Sequence, residues 1–227
     1  MQPTNHKPAQ NLKEIYLRRF TEKDAHEKNL IWHELGAFLQ KWIPISAHGR
    51  VLDIACDRGD FVRNVVSAER WASDMRDVSK HLPSDVHFVQ ANGLELDSQI
   101  PNSHFDVVFM SNYLEHLPTS EHVIAQLDVA RRLVKPGGKV VVLQPNIRLI
   151  GGSYWDFIDH QAALTDRSLV EAAELAGLET DRIIARFMPF TTKSRLPRNP
   201  RLVRWYLRFR PAWWVLGRQS LYVGVRS

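Results

Sequence analysis

The chain has 227 residues, 44% of them hydrophobic, and a single cysteine, Cys56. That is enough apolar material for one α/β domain with appendages, while one cysteine excludes a disulfide framework and any multi-cysteine metal site. The net charge of +5 is uneven: residues 1–181 carry −6 and residues 182–227 carry +11 with no acid at all, a footprint suited to phosphate, nucleic acid or an anionic membrane.

The opening MQPTNHKPAQ lacks the apolar core of a signal peptide, and no apolar run approaches the roughly 20 residues of a membrane span. A cytoplasmic protein is expected. Residues 1–11 read as a frayed terminus. Residues 12–43, with Ile15, Leu30, Leu35 and Leu39 at helical spacing and Pro44 as a stop, predict two helices. They form a helical cap, 1–48, ahead of a main domain, 49–227. Strand-like segments then recur at 51–54, 71–73, 86–90, 105–111, 139–144, 182–189 and 220–225. Helical patterns at 60–68, 120–133 and 168–176 lie among them. Strands alternating with helices predict an α/β fold, a Rossmann-like doubly wound sheet, mostly parallel, with helices on both faces. A basic, aromatic insert at 191–218 separates the last two strands.

In such sheets the turn after the first strand comes closest to a ligand. Here that turn follows Val51-Leu52-Asp53-Ile54 and reads Ala55-Cys56-Asp57-Arg58-Gly59. A dinucleotide fingerprint would need glycine at 55, 57 and 60, where Ala55, Asp57 and Asp60 stand, so a nicotinamide cofactor is excluded. The pattern D-x-G-x-G-x-G fits better. Asp53 and Gly59 match it, while Ala55 and Asp57 depart. Asp74 follows 21 residues after Asp53, and then come FVQAN (88–92), FDVVFMSNYLEHL (105–117) and RRLVKPGGKVVVLQPN (131–146).

In this order and spacing, the segments from Arg50 to Asn146 resemble class I S-adenosylmethionine (SAM)-dependent methyltransferases. SNYLEHL and PNIRLIGGSYWDFIDH resemble small bacterial members of the ubiquinone-biosynthesis-like type, some of them encoded among polysaccharide genes. The resemblance implies a sixth strand parallel to the first five and an antiparallel last strand. It implies SAM as cofactor, held by Asp53, Ala55, Asp57, Gly59, Asp74, Met75, Asn92, Gly93 and Asn112. Asp74 would take the ribose hydroxyls, Asn92 the adenine. Ala55 is acceptable if its φ is negative, and Asp57, tolerant of left-handed backbone, could pair with the ammonium of the cofactor's aminoacyl tail. Asp74 and Gly59 standing together argue for retained cofactor binding, because neither has an evident structural reason to persist.

Glu115, His116 and His160 fall where an acceptor would lie. His160, preceded by Asp159, is the expected general base, with Glu115 and His116 positioning the acceptor. Cys56 reads as a packed loop residue and Pro136-Gly137-Gly138 as a turn. The expected reaction is methyl transfer to a hydroxyl, in preference to an amine, of a small or carrier-linked molecule, with a sugar among the candidates and no metal required. The rival is a non-catalytic scaffold whose altered loop has closed. Nucleic-acid amino methylation is disfavoured, because SNYL stands where an N/D-P-P-Y/W motif would be needed. The segment 191–218 is expected to cap the acceptor side, with Arg201, Arg204 and Arg208 on one side of a helix that Pro211 ends. In a stronger form it meets an anionic membrane.

Overall fold

The computed structural model describes residues 22–190 and 199–227. Its strands are β1 (Arg50–Ile54), β2 (Glu69–Asp74), β3 (Val86–Gln90), β4 (Phe105–Ser111), β5 (Val134–Pro145), β6 (Glu179–Met188) and β7 (Gln219–Val225). They make one sheet in the order β3-β2-β1-β4-β5-β7-β6. β1 to β5 pair in parallel, and β7 runs antiparallel to both β5 and β6, so the expected mostly parallel sheet with an antiparallel last strand is what forms.

The strands are apolar on both faces because both faces are covered. Leu52, Ile54, Val108, Met110, Val140 and Val142 point to one side, where they meet α3 (Ser120–Leu133) and α5 (Asp166–Leu175) through Val123, Leu127, Leu169 and Ala173. The alternate residues Val51, Val107, Phe109, Val141 and Leu143 point to the other side. They meet α1 (Glu22–Trp42), the short α2 (Asp60–Arg63), α6 (Pro200–Arg208) and α7 (Arg210–Leu216). Trp32, Leu35 and Leu39 of α1, with Ile43 just past its end, recur at helical spacing and are all buried there. The described part of the expected helical cap thus packs into the same core as the sheet. Truncating the fully buried Leu39 to alanine should cost about 2–5 kcal/mol.

Two local expectations are corrected. The helix at 60–68 stops at Arg63, because the Asn64 side chain donates back to the Asp60 carbonyl (2.8 Å). Pro211 does more than end a helix: it sits in the first turn of α7, where its missing N–H costs nothing. The described part of the insert packs into the molecule. Tyr206, Leu207 and Trp213 are buried against α1 and the sheet face, and Arg204 is held by Glu34 of α1 at 2.6 and 2.8 Å. Residues 12–21 and 191–198, on which the other part of these expectations falls, lie outside the described residues.

The chain passes from β1 outward to β2 and β3, then returns to lay β4 and β5 on the other side of β1. The reversal leaves a crevice at the carboxyl ends of β1 and β4, the place where open α/β sheets bind ligands. A short α4 (Ile147–Ile150) and a 3-10 turn (Gly151–Asp156) follow β5 at the same edge. That segment is tied down by Asp166, whose carboxylate accepts from Asn146 Nδ2 (2.8 Å) and from the Arg148 guanidinium (2.8–3.1 Å).

Candidate active site

Parallel strands bring all the expected residues to one edge: Asp53 to Gly59 after β1, Asp74 and Met75 after β2, Asn92 and Gly93 after β3, and Asn112 to His116 after β4. His160 reaches the same edge from the segment after β5, since the N–H groups of Gln161 and Ala162 donate to the Glu115 carbonyl (2.7 and 3.0 Å).

The β1 loop is built on left-handed backbone. Ala55, Asp57 and Gly59 have φ of +56°, +50° and +72°. The positive φ at Ala55 overturns the expectation that a negative φ would accommodate its methyl group; it is strained by about 1 kcal/mol. Gly59 has a structural reason of its own, because a Cβ there would run into Leu82. Asp74 has one as well: its carboxylate accepts from the backbone N–H groups of Asp57 (3.1 Å) and Arg76 (3.0 Å) and from the Arg76 Nε and guanidinium NH2 (both 3.0 Å). The persistence of these two residues therefore follows from the fold and does not by itself argue for cofactor binding.

Nor is Asp57 waiting for a partner. Its carboxylate lies 3.1 Å from Arg76 and 3.5 Å from the Lys28 ammonium, which is also 2.7 Å from Asp60. Against the penalty of burial, Lys28 and Arg76 hold the Asp57 carboxyl below its ordinary pKa. Asp53 is buried deeper, accepts from the Val62 N–H (3.3 Å), and is pushed well above the usual carboxylate range by that burial. Met75 is exposed, and the Asn92 side chain accepts from Leu94 N–H (3.2 Å), starting the 3-10 turn Gly93–Ser98. A Cβ at Gly93 would stand 2.6 Å from both Tyr113 Oη and Gln126 Oε1, so any larger residue there would have to push these two side-chain ends aside. Asn112, at φ +49°, takes the tight exit from β4.

These residues can hold SAM after two rearrangements. The aminoacyl ammonium would take the place that the Lys28 ammonium now fills beside Asp57 and Asp60, with Lys28 turning away. Asp74 can take ribose hydroxyls once the half-exposed Arg76 fork swings to solvent, because a carboxylate offers about four acceptor sites. Lys28 and Arg76 were missed by sequence reasoning; they pair with Asp57 across 29 and 19 residues, and only the fold brings them there.

At the acceptor end, Glu115 is buried, its Oε2 has no hydrogen-bond partner among the described residues, and burial pushes its carboxyl up to about 7. His116 Nδ1 lies 2.9 Å from the Asp159 carbonyl oxygen and 3.5 Å from its carboxylate. A carbonyl can only accept, so Nδ1 is the donor in this contact. Asp159 therefore orients His116, a pairing that its sequence adjacency to His160 did not suggest. The His160 ring packs against Tyr154 (4.8 Å), Phe157 (5.0 Å) and His116 (5.1 Å between centroids). Gln144, at the end of β5, is fully buried with neither amide atom hydrogen-bonded among the described residues, a polar group that sequence reasoning also passed over. Its only sequence signal is a glutamine closing the apolar run VVVL.

A family model described as a methyltransferase domain matches residues 22–183. The chain is 30% identical over 113 residues to the 27-O-demethylrifamycin SV methyltransferase of Amycolatopsis mediterranei, 44% of this chain and 40% of that protein. It is 31% identical over 106 residues to the ubiquinone/menaquinone biosynthesis C-methyltransferase UbiE of Burkholderia vietnamiensis, 42% of each. The matched segment spans less than half the length of these relatives. The fold is similar to that of a SAM-dependent methyltransferase from Archaeoglobus fulgidus, with a TM-score of 0.59 at 21% identity over 84% of this chain and 92% of that one. With most of its sheet and its first described helix inside the matched region, the chain belongs to the methyltransferase-domain family.

Proposed function

We propose that the protein is a SAM-dependent methyltransferase acting on a hydroxyl of a small or carrier-linked molecule. The observation that carries this reading is the division of one carboxyl edge into two parts, acidic strand ends around β1 and β2 and a Glu-His-His group past β4. The cofactor brings an activated methyl, so the protein's own work is alignment and proton removal. Asp74 is assigned to the ribose, Asp57 to the aminoacyl ammonium, Asn92 and Gly93 to the adenine, with Asp53 supporting the loop through Val62. Glu115, His116 and His160 are assigned to the acceptor hydroxyl and the loss of its proton. The two curated relatives are named for small acceptors, which supports a small acceptor here. A melting curve with and without SAM tests the reading. A rise in Tm is expected; an unmoved Tm together with no calorimetric binding would favour the scaffold.

The basic, aromatic segment adds a place of work. No described helix is long and apolar enough to cross a membrane. On α6 and α7, however, Trp205, Phe209, Trp214 and Val215 are exposed by 46–77%, and Arg201, Arg208 and Arg210 are exposed among them. Arginines for phosphates beside tryptophans at headgroup depth match an anionic lipid surface. We assign this surface to peripheral contact with such a membrane, which would suit a carrier-linked acceptor. Co-sedimentation with anionic vesicles at low salt, lost with neutral lipid or at high salt, is the expected result; a protein that stays in the supernatant throughout removes the assignment.

A further inference from the structure

We propose that Glu115, His116 and His160 hold a divalent transition-metal cation. The inference rests on the placing of the acceptor end just described, and it states how that end acts. One ligand atom from each of the three residues lies within 4.8 Å of the others. Around a zinc ion bound at about 2.1 Å, tetrahedral ligands stand about 3.4 Å apart, so side-chain rotations of roughly an ångström complete the site.

Two observations point to a cation rather than to a chance cluster. The first is the Glu115 carboxylate. It is 1% exposed, and its Oε2 is buried without a hydrogen-bond partner among the described residues. A buried carboxylate oxygen left unpaired is costly, and Lys28 and the Arg76 guanidinium, which serve the other acids of this edge, are committed to Asp57, Asp60 and Asp74. The second is the setting of His116. Metal-bound histidines characteristically donate their other ring N–H to a carbonyl or carboxylate, and His116 Nδ1 lies 2.9 Å from the Asp159 carbonyl and 3.5 Å from its carboxylate. Tyr154 and Phe157 hold the ring of the second histidine.

Two imidazoles and one carboxylate suit zinc and its neighbours in the first transition row better than magnesium or calcium, which prefer all-oxygen shells. Three protein ligands leave at least one coordination position for an acceptor oxygen. A hydroxyl held there loses its proton to water more readily. The oxygen–carbon bond to the transferred methyl then forms as the carbon–sulfur bond breaks, leaving a methyl ether and S-adenosylhomocysteine.

The test needs no acceptor. Full-length protein, freed of metal with a chelator and desalted, is titrated with Zn²⁺ by calorimetry and with Co²⁺ by its visible absorption, and with SAM in a separate titration. One equivalent of Zn²⁺ and a Co²⁺ band in the visible are expected in the wild type. Affinity should fall at least about 100-fold in Glu115→Gln and His160→Asn, and about 10-fold in Asp159→Asn, which acts through His116. Circular dichroism and Tm confirm that each variant is folded; Asp159→Asn, which keeps all three ligands, serves if the others are not. Absence of stoichiometric metal binding in folded wild type overturns the proposal, as does binding that the variants leave undiminished. SAM binding without metal binding ends this inference and leaves the methyltransferase reading standing. Metal binding without SAM binding does the reverse.

Discussion

Around β1 and β2, the acids of the carboxyl edge come with cations supplied by the chain: Lys28 lies 2.7 Å from Asp60, and Arg76 reaches both Asp57 and Asp74 at 3.0–3.1 Å. Past β4, Glu115 is buried as deeply as any of them, and its Oε2 has no hydrogen-bond partner among the described residues. The first region is electrostatically settled before a ligand arrives, so a ligand has to displace part of what is there. The second is unsettled, and a ligand or ion has to complete it. A ligand therefore weakens existing contacts in one half and supplies missing ones in the other.

The largest effect should come from the unsettled half. Replacing His160 with alanine should lower turnover by about 10²–10⁴ while SAM affinity stays near its wild-type value, because the residue serves only the acceptor. Steady-state kinetics and calorimetry on the same preparation check both parts; equal losses in turnover and SAM affinity would merge the two halves into one.

In the settled half the effects are smaller and their signs more informative. Asp57→Asn should weaken SAM by about tenfold through loss of a charge-assisted pair, whereas Asp57→Gly should cost less, since glycine relaxes the +50° backbone and lets the main chain approach. If Asp57→Gly creates binding that the wild type lacks, the loop is closed and the scaffold account wins. Arg76→Ala frees Asp74 of its fork, so SAM affinity should rise by several-fold, up to about tenfold. A fall would make Arg76 a cofactor ligand instead of a competitor.

How much of this could be read in the sequence depends on whether the cause was local. The sheet was legible because Val51 to Ile54, Phe105 to Ser111 and Lys139 to Gln144 are strands buried on both faces, and such runs announce themselves. The helix Ser120–Leu133 was legible to the residue, with Thr119 as its cap. The edge residues followed from where parallel strands must end. What escaped were the long-range pairings: Lys28 and Arg76 with Asp57, Glu34 with Arg204, and Asp159 with His116. The sign of φ at Ala55 escaped too, since alanine ordinarily avoids left-handed backbone and gives no hint of adopting it.

That last residue supplies the smallest prediction. Ala55→Gly removes the strain of a +56° φ but adds freedom to the unfolded chain, so the net gain should be about 0.5–1 kcal/mol, or roughly 1–4 °C in Tm. Calorimetric melting reads it directly, and an unchanged or lowered Tm would mean the loop holds its left-handed turn without strain.

The most direct test of the account is a calorimetric titration of SAM into wild type and Asp74→Asn. Asparagine is the better probe than alanine, because Asp74 also accepts two backbone N–H groups that alanine would strand. The account predicts one equivalent bound by wild type and an affinity one to two decades lower in the variant, the loss of a charge-assisted bond of about 1.5–3 kcal/mol. No binding by folded wild type, or equal affinities for the two proteins, would contradict it.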